Sequence, residues 1–131
     1  MINKVRDRQS GFTLIELLIA IAIVAIIVSI AYPSYLTQVQ QTRRANAQAD
    51  LVELAAYMQR FYTENFTYAG AALPYNTSPK SGGQSFYNIA LGNATATTYT
   101  LTATPQGPQV GDSCGNMTIN QRGQGTPANC W

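Results

Sequence analysis

Histidine is absent from this chain of 131 residues, cysteine occurs twice, and charged side chains make up only 11%. Each scarcity removes a class of chemistry. Without histidine there is no imidazole to act as a general base near neutral pH or as a metal ligand. The two cysteines, Cys114 and Cys130, are spaced unlike any metal or redox motif. The carboxylates Asp50, Glu53, Glu64 and Asp112 are scattered, and no two read as an acid/base couple. Asp50 and Glu53 share a helix face three residues apart and read as solvated; the adjacent Arg43 and Arg44 read as surface charge. Gly82-Gly83 is a turn pair rather than a phosphate-binding loop. The sequence thus reads as non-enzymatic, with no catalytic residue, no metal site and no cofactor.

What the chain does have is a long apolar run, Gly11 to Pro33, G-F-T-L-I-E-L-L-I-A-I-A-I-V-A-I-I-V-S-I-A-Y-P. From Phe12 to Tyr32 it is about 21 residues, long enough to span a bilayer core as a helix. It carries one carboxylate, Glu16, and an ionisable group in such a segment is costly and usually functional. A short leader precedes it, with Lys4, Arg6 and Arg8 against Asp7. From Phe12 onward, five basic and five acidic residues cancel, so the net charge of +2 belongs to the leader. Positive charge there holds the N-terminus on the cytoplasmic side and says little about nucleic acid. An ordinary secretory signal has a shorter apolar core, with the small-residue cleavage site after it. Here the small residue, Gly11, comes first, so cutting after it leaves the apolar segment on the mature chain. A plain membrane anchor accounts for the span but not for Glu16.

The helical pattern continues past Pro33. Residues 34 to 62 contain no Gly or Pro and are rich in good helix formers. Leu51, Leu54, Ala55, Met58, Phe61 and Tyr62 recur at helical spacing and make one apolar face. If residues 12 to 63 form one helix, it is about 52 residues and roughly 78 Å long. No domain of this size can cover such a rod, so its first half must be buried in a membrane or in other copies of itself. Pro33 lacks an N–H and crowds the carbonyl of Ser29, so a kink is expected there, with the Ser29 hydroxyl available to relieve the lost bond.

The second half reads differently. Residues 69 to 85, rich in Gly, Pro, Ser and Asn, form a loop. Three strands follow, at 86 to 91, 97 to 104 and 116 to 121. The middle one alternates strictly, with Tyr99, Leu101 and Ala103 on one face and threonines on the other; Met117 and Ile119 point inward from the third. This is a half-buried antiparallel sheet, and the stripe from Leu51 to Tyr62 is the natural cover for its apolar face. The fold class is α+β. A chain exported through a membrane folds in an oxidising compartment, where a Cys114–Cys130 disulfide is expected over two free thiols. It closes a loop of about 17 residues and contributes about 3 kcal/mol in the chain-entropy model.

The combination G-F-T-L-I-E, an apolar run and Y-P resembles the N-terminus of type IV prepilins, and residues 1 to 63 look like a type IVa pilin precursor. A-D-L-V-E-L-A-A-Y-M-Q-R-F-Y-T-E-N-F-T-Y-A, a Tyr/Thr-rich sheet and a Cys pair ending in C-W are similar to the PilE-like pilins, a group that includes minor pilins and ComP-type DNA-uptake pilins. The resemblance implies four parts: a leader at 1–11, a transmembrane and assembly helix at 12–33, its amphipathic continuation at 34–63, and a globular region at 64–131. It implies cleavage of the Gly11–Phe12 bond by a prepilin peptidase, which also N-methylates Phe12, and a role for Glu16 in answering the Phe12 amine of a neighbouring subunit. Related pilins often carry a glycine in the run before the proline; residues 22 to 31 have none, so any opening of the helix rests on Pro33.

The function implied is a pilin subunit, minor rather than major, held in the inner membrane before assembly and extracellular afterwards. Its partners are other pilin subunits, the peptidase and the pilus assembly machinery, in support of motility, adhesion or DNA uptake. Two alternatives share the N-terminus. A DNA-binding competence pilin needs a basic cluster on the globular face, where only Lys80 and Arg122 lie. A type II secretion pseudopilin is expected to bind calcium through C-terminal acids, for which Asp112 alone is too few.

Overall fold

The structure, a computed structural model, describes residues 10–131. The basic leader residues Lys4, Arg6 and Arg8, and all of the leader before Ser10, lie outside the described residues. Among those residues there are one long helix, α1 (Leu14–Asn65), and five strands: β1 (Thr77–Ser78), β2 (Tyr87–Gly92), β3 (Thr100–Pro105), β4 (Met117–Asn120) and β5 (Gly125–Thr126). The strands form one antiparallel meander in the order β1-β2-β3-β4-β5. Packing divides the chain into two units, one ending at Thr37 and the other running from Gln38 to Trp131.

The helix begins where local chemistry starts it. Thr13 stands at the N-cap, its Oγ1 accepting from the Glu16 N–H at 3.2 Å, while the Glu16 carboxylate reaches back to the Thr13 N–H at 3.5 Å. This is the reciprocal capping box that T-x-x-E encodes. The helix passes through Pro33 without interruption. The Ser29 hydroxyl does not stand in for the bond that Pro33 cannot make; it donates to the Ile26 carbonyl at 2.7 Å, one turn earlier. The helix ends two residues beyond the expected Thr63, at Asn65, where Phe66 turns the backbone into the left-handed region (φ 55°).

In the second unit the expected stripe meets the sheet. Leu51, Leu54 and Met58 of α1 pack on Tyr87, Ile89, Tyr99, Leu101, Ala103, Met117 and Ile119 in one core. The alternation in β3 and β4 is as anticipated, with Leu101, Ala103, Met117 and Ile119 inward and Thr100, Thr102 and Thr118 outward. Burying a Leu, Ile or Met side chain of this kind stabilises by about 1.5–3 kcal/mol.

Three expectations are corrected. β3 starts at Thr100 rather than Thr97, because Thr95 Oγ1 accepts from the N–H groups of Thr97 and Thr98 and holds them in a turn. The stretch read as loop contains β1, whose Thr77 and Ser78 pair with Asn88 and Tyr87. A fifth strand, β5, follows β4 through a hairpin at residues 121–124. Both additions have two residues, too short for an alternation to show in sequence. The Cys114–Cys130 disulfide is formed.

Candidate functional site

Two regions stand out, one in each unit. In the first, every side chain from Ser10 to Gln38 is exposed, including an unbroken succession of Leu, Ile, Val and Ala from Leu17 to Val28. α1 is the one helix among the described residues long and apolar enough to cross a membrane. At its start Ser10, Gly11, Phe12 and Glu16 line a shallow hollow of about 300 Å3 around the Gly11–Phe12 bond. A Cβ on Gly11 would meet nothing within 4 Å. The packing of the chain itself therefore does not require glycine at that position. The Glu16 carboxylate is held only by the long contact to the Thr13 N–H, and no described cation reaches it. It thus remains available to an incoming positive group.

The second region is a polar lattice under the sheet edge. Arg44 pairs with Asp112 through Nε at 2.9 Å and through a second, shorter contact from Nη2. The Asp112 hydrogen bond holds the Arg44 guanidinium above its already high range, against a smaller opposing effect of burial. Tyr87 also donates to Asp112, at 3.4 Å. Gln109, fully buried, donates to both the Gln40 carbonyl and the Tyr87 hydroxyl at 3.0 Å. Burial is the first cause that raises the Tyr87 hydroxyl, with the charge of Asp112 acting in the same direction. Arg44 and Asp112, read as surface charge and as a lone acid, are thus one partly buried pair. Asp50 is likewise not solvated: it accepts from Ser78 Oγ at 2.6 Å, and its backbone carbonyl accepts from the Tyr75 hydroxyl at 3.2 Å. Burial first, and then the charges of Glu53 and Asp50, push Tyr75 up to about 12. Burial also raises Tyr99, whose edge meets the ring of Tyr68.

These pairings change the surface. Lys80, counted as one of two exposed cations, is tied to Glu53 and lies 5.7 Å from the Tyr75 ring. Arg43 sits over Phe86 at 3.8 Å. Arg60 and Arg122 make no ion pair with another described residue. Gln59, beside Arg60, donates to the Gln121 carbonyl at 3.3 Å, so the two arginines flank one contact between α1 and the β4–β5 hairpin. That hairpin is braced by Asn120, whose Oδ1 accepts from the N–H groups of Arg122 and Gln124. Sequence reasoning missed the Arg44–Asp112 and Asp50–Ser78 links, because separations of 68 and 28 residues leave no local signal. The capping box of Thr13 and Glu16 was missed as well, although its T-x-x-E spacing is a local signal that could have found it.

A family model described as type IV minor pilin ComP, DNA uptake sequence receptor, matches residues 33–118. The prokaryotic N-terminal methylation motif matches residues 6–32. The chain is 28% identical over 89 residues to the type IV major pilin protein PilA of Myxococcus xanthus, covering 68% of this chain and 40% of that protein. It is 32% identical over 63 residues to the type II secretion system core protein G of Pseudomonas aeruginosa, covering 48% of this chain and 44% of that one. The chain thus spans less than half the length of both curated relatives. A solved type IV pilin from Shewanella oneidensis superposes with a TM-score of 0.56 at 27% identity, over 70% of this chain and 97% of that one. The non-core minor pilin PilV of Neisseria meningitidis, at 21% identity and a TM-score of 0.55 over 68% and 86% of the two chains, shares the fold. With one model on the methylation segment and the other on the helix and sheet that follow, the chain belongs to the type IV pilins, within the ComP minor-pilin family.

Proposed function

We propose that this chain is a subunit of a type IV pilus, inserted in the inner membrane with its N-terminus cytoplasmic, cut between Gly11 and Phe12, methylated on the Phe12 amine, and polymerised through the first half of α1. The observation that carries this reading is the exposed apolar segment of bilayer length with Glu16 one turn from its start. Water cannot be its lasting environment. A carboxylate there is tolerated only if it acquires a partner. Cleavage creates one, the amine of Phe12. In a staggered bundle the amine of an incoming subunit meets the Glu16 of its neighbour, and the pair fixes the axial register in the way a single polar contact fixes a coiled coil. Thr13 keeps the helix start capped when Glu16 turns to that amine. Replacing Glu16 with Leu should leave insertion and cleavage intact and abolish or sharply reduce incorporation into filaments. Normal incorporation of Glu16→Leu would remove the register role.

A second reading, DNA contact at the filament surface, draws on the family description and on Arg60 and Arg122 flanking the braced hairpin. Gln121, Arg122 and Gln124 are side chains of the kind that read base edges. Two arginines are a small electrostatic footprint, so affinity should be modest and its salt slope shallow. Duplex binding by the full chain in detergent, compared with Arg60→Ala/Arg122→Ala, tests it. Equal binding by both forms would set it aside.

A further inference from the structure

We propose that the hollow between α1 and the segment after β1 is a binding site for a primary ammonium group, with Asp50 as its anchor. The hollow holds about 290 Å3 and is lined by Asn46, Ala49, Asp50, Pro79, Lys80 and Ser81. Asn46, Ala49 and Asp50 stand three and four positions apart and so share a face of α1. Pro79, Lys80 and Ser81 follow β1, which is held in place by its pairing with β2. All six residues belong to the unit that runs from Gln38 to Trp131.

Asp50 is under-provided for its burial. It is 9% exposed, yet its carboxylate takes one hydrogen bond, from Ser78 to Oδ2 at 2.6 Å. Oδ1 takes none from a described residue, and it is not sealed from solvent. A carboxylate has about four acceptor positions, and a buried one without a cation is costly. The nearby cations are committed elsewhere: Lys80, on the wall of the same hollow, is tied to Glu53, Arg43 lies over Phe86, and Arg44 is paired with Asp112. Asp50 and Glu53 against Lys80 leave the hollow with a negative charge.

The donor count selects the ligand. With Oδ2 occupied, the open acceptors on the wall are Asp50 Oδ1, the Asn46 amide oxygen and the Ser81 hydroxyl. A primary ammonium brings three N–H donors and one positive charge. A guanidinium is suited to two free oxygens of one carboxylate, and here one is taken. A metal ion asks for more ligands, and the described residues contain no group of three Asp, Glu, His or Cys side chains that would hold one. The ammonium comes either from a free amine or from a lysine of a neighbouring subunit.

The site lies within the globular unit, so its test does not depend on the pilus reading. The full chain in detergent is titrated with n-butylammonium and followed through the backbone amide signals of Ala49, Lys80 and Ser81. Saturable shifts are expected there. Methylguanidinium should bind more weakly, and tetramethylammonium, which has the charge but no donor, should give none. Asp50→Asn can still accept from Ser78 and should weaken binding by about tenfold or more, because a charge-assisted bond is lost. Asn46 is exposed, so Asn46→Ala leaves the fold intact, and it should weaken binding several-fold. Absence of saturable shifts, equal shifts with tetramethylammonium, tighter binding of methylguanidinium, or unchanged binding by both variants would overturn the proposal. Labelling of the thiol in an Ala49→Cys variant tells the two sources apart. Protection in sheared filaments washed free of amine, relative to the chain in detergent, identifies a neighbouring subunit's lysine; equal labelling identifies a free amine.

Discussion

The indole of Trp131 fills the space in which a side chain on Gly125 would stand, and its Nε1–H donates to the Thr126 carbonyl at 3.1 Å. Gly125 pairs with Ile119 across the ladder, so the indole closes the inner face of the sheet at its β5 edge. The disulfide to Cys130 holds it there. The glycine is needed for this close approach, not for an unusual backbone angle.

Gly125→Ala should therefore destabilise the globular unit, against the usual strand preference. Removing a strand glycine favours the fold by roughly 0.5–1 kcal/mol, and the overlap with the ring opposes it by about 1–3 kcal/mol. Trp131 is the only tryptophan, so its emission reports the change directly. A red-shifted, more quenchable emission is expected; an unchanged spectrum would mean that the ring does not occupy this place.

Arg44→Met leaves the buried Asp112 carboxylate without its cation. The side chains are 18% and 1% exposed, and breaking such a pair costs about 3–5 kcal/mol when both groups are fully buried; about 2–4 kcal/mol is expected here. The double change Arg44→Met/Asp112→Leu should cost less than the sum of the single ones, because it removes the stranded charge. Denaturant midpoints of the full chain in detergent measure both. Strict additivity would show that the two residues do not interact.

Much of this was legible beforehand and some was not, for physical reasons. The helix, its apolar face, the alternation in β3 and the disulfide follow from periodicity and compartment, which are local or compositional signals. β1 and β5 have two residues each and exist only because a neighbouring strand offers them bonds. Asp50 and Arg44 looked like solvent charges on a polar helix. Their burial depends on Ser78 and Asp112, which only the tertiary fold brings near. At the N-terminus the observed contacts between Thr13 and Glu16 are local, because the two residues lie three positions apart.

Alkaline pH should loosen the globular unit through its tyrosines. Tyr75, pushed up to about 12, together with Tyr87 and Tyr99, holds its proton more tightly folded than unfolded. The unfolded value is near 10. Stability from these groups is complete below about pH 10 and is lost as pH rises from there towards 12. Tyrosinate absorbance should show a late-titrating fraction that joins the rest on unfolding, and Tyr75→Phe should reduce it. Titration of all eight tyrosines together near 10 in the folded protein would contradict this.

Removal of the Cys114–Cys130 bridge by a Cys114→Ser/Cys130→Ser change should lower stability by roughly 2–4 kcal/mol. It should also free Trp131 from Gly125. Thiol labelling of the unreduced protein at both cysteines would show that the bridge is not formed.

The central claim, that this chain enters a filament as a processed pilin, is tested most directly by mass spectrometry of filaments sheared from cells. The expected N-terminal peptide begins at Phe12 and carries one methyl group on its amine, with Glu16 and the apolar run behind it. Recovery of the chain only in the membrane fraction, or in filaments with a start other than Phe12, would contradict the account.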